Sequence, residues 1–194
     1  MVKKHKYKPC VVVVYGSPLR GKDYLAKKIK SVSNFEILEL DRIRTLIDPN
    51  RCNGETPKLL TESEEFPIMA AVYAYFCSKA WYMVSSGESV LLPATFSRKE
   101  FKAPLVVLKD YLLKYKIPLR IFYLKKPGDN EIVKRLNKRK KEGSFSNITT
   151  LKQLRWAESF FEKIDFWPVV EVDTENSDCL KFILKNLNDL KLGK

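Results

Sequence analysis

Apolar and polar positions alternate in blocks along the chain. Cys10 to Tyr15 is an unbroken apolar run, rich in valine and closed by Gly16. Such a run predicts a strand buried on both faces, as in a parallel sheet. From Asp23 to Val32 the apolar residues Leu25, Ile29 and Val32 recur at helical spacing, which predicts a helix with one buried side. The pattern then repeats. Further strands are predicted from Phe35 to Leu40, ending at Asp41, and over Ser89 to Leu92, Pro118 to Leu124 and Val169 to Val172. Further helices are predicted over 43–47, about 62–86, 97–115, 130–141, 149–161 and 177–192. Strands alternating with helices throughout predict an α/β domain: a five-stranded parallel sheet with helices on both faces. In such sheets ligands bind beyond the carboxyl ends of the strands, so the residues just after each strand are the ones to read for function.

Local signals set the boundaries. Residues 48–50 (Asp-Pro-Asn) read as a turn, and Asn53 to Leu60 is the least regular stretch. Thr61 and Glu64 have the spacing of a capping box before the long helix, which carries Ile68, Val72, Tyr75, Phe76 and Trp81 and is stopped by Gly87. Pro104 kinks the next helix unless it falls in its first turn. Gly143 to Ser146 reads as a loop. Trp156 and Phe160 are expected on the buried side of their helix, and Leu180, Ile183, Leu184 and Leu187 on one face of the last. Residues 1–9 form a polar, basic, loose tail, and 10–194 a single domain.

Composition narrows the class. The chain has 194 residues, of which 45% are hydrophobic, which suits one folded domain. No apolar run approaches the ~18 residues of a membrane span, and no signal peptide is legible, so a cytoplasmic protein is expected. Its four cysteines form no CxxC pair and its only histidine is His5. That argues against a structural zinc site and against a histidine base. The formal charge is +13, with 36 basic against 23 acidic residues. Anionic partners are favoured: nucleotides, RNA or DNA, or an acidic surface.

The residues after the first strand carry the chemistry. Gly16, Ser17, Pro18, Leu19, Arg20, Gly21, Lys22 and Asp23 satisfy the phosphate-loop pattern GxxxxGK, except at its last position. Glycines let the backbone fold around phosphate oxygens, the amides at the helix start point at the anion, and Lys22 adds a mobile positive charge. Asp23 stands where a Ser or Thr hydroxyl normally ligates magnesium. A carboxylate oxygen also suits magnesium, so Asp23 is the candidate metal ligand. A first-turn acid favoured by the helix dipole is the plainer role.

With these residues the chain resembles P-loop kinases of the polynucleotide-kinase and zeta-toxin type, the AAA-domain kinases. The resemblance runs from about Cys10 to Thr174 and rests on the loop, on Asp41 with Arg44, on Ser89 to Arg98, and on the basic helix through Arg135 and Arg139. It implies the P-loop NTPase fold with a small helical lid at about 130–150. It implies that Asp41 accepts the proton of an attacking hydroxyl, a role a carboxylate can fill. It also implies that Arg44 holds an acceptor phosphate, and that Arg135 and Arg139 contact the triphosphate, where guanidinium forks suit phosphate. Thr95 and Arg98 are candidate substrate contacts. Relatives carry an aspartate near magnesium at the position of Pro93, so one metal carboxylate is absent and another, Asp23, is added.

The expected function is transfer of the γ-phosphate of ATP or GTP, with magnesium, to a hydroxyl, foremost a polynucleotide 5′-hydroxyl or a related nucleotide. A small-molecule acceptor, a nucleotide binder that no longer catalyses, and a basic nucleic-acid module remain open beside it.

Overall fold

The computed structural model describes residues 5–47, 62–142 and 148–191. The predicted turn at 48–50, the stretch 53–60, Thr61 of the capping box, the loop 143–146 and the first four residues lie outside them. The elements run β1 (Val11–Tyr15), α1 (Lys22–Ser31), β2 (Phe35–Ile37), α2 (Leu40–Ile47), α3 (Glu62–Ser85), β3 (Ser89–Ala94), α4 (Lys99–Lys114), β4 (Leu119–Leu124), α5 (Asp129–Glu142), α6 (Leu151–Ser159), β5 (Val169–Val172) and α7 (Cys179–Asn186).

The five strands form one parallel sheet in the order β2-β3-β1-β4-β5. Strand β1 is central, and the alternation of its side chains divides the core. Val11, Val13 and Tyr15 face a cluster with Tyr73, Phe76, Leu105 and Leu108 of α3 and α4. Val12 and Val14 face Leu25 and Ile29 of α1 and Ile183 and Leu187 near α7. Burial on both faces is what an all-valine run followed by Tyr requires. A third, smaller cluster joins Leu19 of the phosphate loop to Ile132 and Leu136 of α5, to Ile148 and to Leu154 of α6.

The element order follows the hydrophobic pattern, with several differences. Strand β2 stops at Ile37 and α2 begins at Leu40, so Asp41 lies in the first turn of a helix rather than at the end of a strand. The helix dipole favours an acid there. Strand β3 continues through Pro93 to Ala94. The Val90 amide donates to Cys10 on the β1 side, and the Leu91 carbonyl accepts from Leu38 on the β2 side. Alternation therefore turns the Pro93 nitrogen towards β2, which has already ended, and no ladder bond is lost. In α4, Pro104 lies past the first turn.

The segment read as a loose tail is held from His5 onward. Tyr7 is buried against Phe35, its amide donates to Asn34 Oδ1 at 2.8 Å, and the Lys8 amide donates to the Leu190 carbonyl at 2.9 Å. One aromatic ring in an otherwise polar segment supplies the apolar area that ties it down. On α3 the buried stripe includes Met69, Val72, Tyr73, Phe76 and Ala80, while Tyr75 faces solvent. On α6 Leu154 is buried and Trp156 is 38% exposed, contrary to the expected burial of Trp156; the Trp156 ring meets that of Phe160 edge-on. Helix α6 starts with a capping box in which Thr150 and Gln153 satisfy each other's backbone amides. Cys10 and Cys77 are buried thiols, as small hydrophobes should be. Among the described residues no helix is long and apolar enough to cross a membrane.

Candidate active site

The loop between β1 and α1 folds tightly because its glycines permit it. Gly21 has φ +86° and forms the left-handed N-cap of α1. A Cβ on Gly16 would lie 2.9 Å from Arg20 Cδ and 3.1 Å from the Leu124 carbonyl oxygen. Gly16→Ala is therefore expected to cost about 2 kcal/mol through overpacking and an unfavourable φ. Differential scanning calorimetry should show a melting temperature lower by about 5 °C for a chain of this size.

Lys22 opens α1, and its ammonium donates to the carbonyls of Gly16 and Ser17, both at 3.0 Å. Loss of hydration lowers its pKa to about 8; Asp23 and Asp41 oppose the shift, while Arg139 and Arg20 add to it. Asp41 projects into the same field. Its side chain is 55% exposed, yet protein atoms crowd the carboxylate, and this loss of hydration raises its pKa. Asp23 pushes in the same direction; Arg44, Lys22 and Arg139 pull it back. The Arg44 guanidinium lies 3.5 Å from the Asp41 carboxylate. Desolvation likewise lowers the pKa of Arg139, while Asp23 and Asp41 support its charge. Lys22, Asp23, Asp41 and Arg139 thus share one electrostatic neighbourhood at the carboxyl edge of the sheet, though they come from α1, α2 and α5.

Arg135, one turn before Arg139 on α5, donates to the Leu19 carbonyl at 2.8 Å and to Glu131 at 2.8 Å. Its Nη1 lies 3.4 Å from where a Cβ on Gly21 would be. It therefore borders the loop between β1 and α1. Thr95, one residue beyond β3, shares a 2.7 Å hydrogen bond with the Tyr73 hydroxyl. The Arg98 guanidinium lies 3.9 Å from the centre of the Phe160 ring, at the N-cap of α4.

The side chains of three loop residues bond or pack to other parts of the protein. Arg20 is buried; it donates to Ser17 Oγ at 2.7 Å, to the Tyr123 hydroxyl at 2.5 Å and to the Leu124 carbonyl at 2.8 Å. It also lies 3.7 Å from Glu158 and over the rings of Tyr123 and Phe161. A desolvated guanidinium needs an anion and several acceptors, and β4 and α6 supply them. The buried Ser17 hydroxyl donates to Glu158 at 3.1 Å. Leu19, at φ +66°, inserts its side chain into the cluster made by α5 and α6. What these residues can offer an anion is their backbone amides.

Sequence reasoning missed Glu158, Tyr123, Phe161 and Tyr73. No local motif marks them, since each meets its partner from a segment distant in sequence.

Magnesium suits the hard oxygen donors present. The ion commonly takes one or two carboxylates and completes its shell with phosphates and water, and Asp23 with Asp41 nearby provides carboxylates beside the lysine of the loop. Among the described residues no group of three or more His, Cys, Asp or Glu side chains could hold a metal by itself. The carboxylate of the family pattern has no replacement at Pro93, which is buried in β3.

Comparison with known proteins places the fold. No family model matches the chain, and no curated protein matches it in sequence. Solved structures do. The gluconokinase from Sinorhizobium meliloti 1021 is similar with a TM-score of 0.61 at 17% identity, over 94% of this chain and 93% of its own. The Mycobacterium tuberculosis APS kinase CysC in complex with AMPPNP and APS gives 0.59 at 14%, over 95% and 98%. Chaetomium thermophilum Kti12 in complex with ADP-AlF3 gives 0.59 at 13%, over 94% and 100%. The chain has the fold of the P-loop kinases, in the five-stranded parallel form expected from its sequence.

Proposed function

We propose that the chain transfers the γ-phosphoryl group of ATP or GTP to a hydroxyl acceptor. One observation carries this reading: a phosphate-loop lysine, a second cation on α5 and the carboxylates of Asp23 and Asp41 converge at the carboxyl edge of the sheet. A structural ion-pair surface has no need of a desolvated lysine whose ammonium is held by carbonyls of its own loop.

In this reading the amides from Gly16 to Asp23 bind the phosphates. Lys22 exchanges its two carbonyl partners for phosphate oxygens. Asp41 orients the acceptor hydroxyl and takes its proton as the oxygen bonds to the γ-phosphorus and the bond to the departing diphosphate breaks. The raised pKa of Asp41 makes it a better base than an ordinary surface carboxylate. Arg44 holds an anionic group of the acceptor. Arg139 and Arg135 balance charge as it shifts towards the leaving diphosphate. Magnesium, held by Asp23 and the phosphates, would add positive charge at the outer phosphate oxygens.

The acceptor proposed first is a polynucleotide 5′-hydroxyl or a related nucleotide, in keeping with the polynucleotide-kinase and zeta-toxin resemblance. The charge of +13 and the Asp41–Arg44 pair support it. The near-complete coverage of a gluconokinase and an APS kinase favours a second reading, a small-molecule acceptor. Salt separates the two, because the salt dependence grows with the number of phosphates neutralised, so affinity for a polynucleotide falls far more steeply than affinity for a small acceptor with few charges.

The test is titration of ATP, with and without magnesium, against the wild type and Lys22→Ala, followed by an acceptor screen beginning with 5′-hydroxyl oligonucleotides. Lys22→Ala should weaken ATP binding roughly 100-fold, the loss of a charged hydrogen bond. A phosphate beside Lys22 favours its charged form, so binding near pH 8 should take up a proton. Affinity should then decline as the pH rises past about 8, by up to about tenfold per pH unit. Calorimetry in buffers of different ionisation enthalpy reads the proton directly. Undiminished binding by Lys22→Ala would remove the basis of the reading. Tight binding with no transfer to any acceptor would leave a nucleotide-binding protein that no longer catalyses.

A further inference from the structure

Tyr73 is fully buried in α3, yet its hydroxyl reaches the carboxyl edge of the sheet. It accepts a hydrogen bond from the Phe96 amide at 3.2 Å and lies 2.7 Å from Thr95 Oγ1. Its ring is clamped by Phe101, stacked at 4.9 Å, and by Phe96 at 5.1 Å. Phe96 is itself buried and holds φ +43°, a left-handed conformation that a bulky residue adopts only when its surroundings enforce it. Such strain directly after β3, where ligands bind in sheets of this kind, marks a site.

The direction of the Tyr73–Thr95 hydrogen bond follows from counting donors. A tyrosine hydroxyl has one proton, and its oxygen already accepts from Phe96. If Thr95 donated to it as well, the Tyr73 proton would be buried with no acceptor, which is costly. Tyr73 therefore donates to Thr95 Oγ1. The Thr95 proton is then left to point away from Tyr73. Thr95 is only half buried. The strand order sets it between the ends of β2 and β1, hence between Asp41 and the phosphate loop. Tyr73 also lies close enough to Asp41 to sense its charge.

We infer that Tyr73 is a positioning residue: by donating to Thr95 and fixing Phe96, it aims the Thr95 hydroxyl proton at an anionic oxygen lying between Asp41 and the phosphate loop. That oxygen belongs to the transferring phosphoryl group. The inference rests on the phosphotransferase reading above, and deepens it by giving Thr95 the role of a directed donor.

The variants are Tyr73→Phe, which keeps the ring, Thr95→Val, which keeps the shape, Thr95→Ser, which keeps the hydroxyl, and the double variant Tyr73→Phe/Thr95→Val. Each is assayed for kcat and acceptor KM at saturating ATP, for ATP affinity, for melting temperature, and for affinity towards ADP with aluminium fluoride. Tyr73→Phe should lower kcat roughly tenfold, the worth of one oriented hydrogen bond to a charged group, with ATP affinity unchanged. Thr95→Val should lose more, Thr95→Ser should recover most of it, and the double variant should be no worse than Thr95→Val alone. Equal losses from Tyr73→Phe in both Thr95 backgrounds, or a loss that tracks ATP affinity, would overturn the inference and leave the kinase reading intact. If the wild type transfers phosphate to no acceptor, that reading fails, and the aluminium fluoride complex decides alone. Non-additive weakening of that complex supports the directed donor, and unchanged affinity in all the variants overturns it.

Discussion

Asp41→Asn is expected to lower phosphoryl transfer roughly 1,000-fold in kcat, within the range a positioned general base supplies, while ATP still binds. The two effects separate because Asp41 sits on α2, outside the phosphate loop. Removing its charge should even tighten the nucleotide slightly, since a carboxylate near Lys22 and Arg139 competes with phosphate for them. The pH profile adds a second check. Asp41 titrates above the ordinary carboxylate range, chiefly through lost hydration. Activity in the wild type should therefore fail on acidification at a higher pH than an unperturbed aspartate would give, and this limb should vanish in the variant. Stability runs the other way. A group whose folded pKa is raised binds its proton more tightly in the native state, so stability declines as the pH rises through that pKa. Ionised Asp41 is thus a cost at neutral pH, and Asp41→Asn should melt no lower than the wild type. A variant that lost activity only through unfolding would count against a catalytic role. Steady-state kinetics with the preferred acceptor, paired with thermal melts, distinguishes these outcomes.

Arg20→Ala should be the most destabilising change at the loop, by about 3 kcal/mol or roughly 10 °C in melting temperature. The guanidinium serves Ser17, Tyr123, the Leu124 carbonyl and Glu158 at once. Among the described residues, its loss would leave Glu158 no close cation except Lys126, at 3.7 Å. Arg20→Lys should recover little, because a single ammonium cannot reproduce a planar fork that meets several acceptors. Nucleotide affinity should also drop, roughly tenfold, since Arg20 Cδ is what Gly16 packs on and the loop would lose its floor. Melting curves of the two variants, with ATP titrations below the transition, test this. If Arg20→Ala melted like the wild type while losing ATP binding, the side chain would contact the phosphates after all.

Much of the fold was legible because backbone periodicity is a local property. The valine run at 11–14, closed by Gly16, reads as a doubly buried strand, and the spacing of Leu25 and Ile29 as a helix packed on it. The shape of the loop from Gly16 to Lys22 was legible for the same reason: its two glycines mark the tight turn and the left-handed N-cap of α1. Where the local signal is mixed, the reading slipped. Trp156 is a large apolar residue, yet Leu154 fills the space under α6. Asp41 follows apolar residues and resembles a strand end, although β2 ends at Ile37 and the chain has already turned into α2.

The sequence by itself determined the alternation of strands and helices, the parallel sheet, and the glycine-rich loop with its lysine, because each is written in residues close along the chain. Only the tertiary structure decided that Arg20 points inward, that Leu19 anchors the loop to α5 and α6, and that Tyr73 hydrogen-bonds Thr95. Those pairings join segments as much as 141 residues apart, as in the Ser17–Glu158 hydrogen bond. A buried polar group takes whatever partner packing brings within reach, and no spacing along the chain encodes that choice.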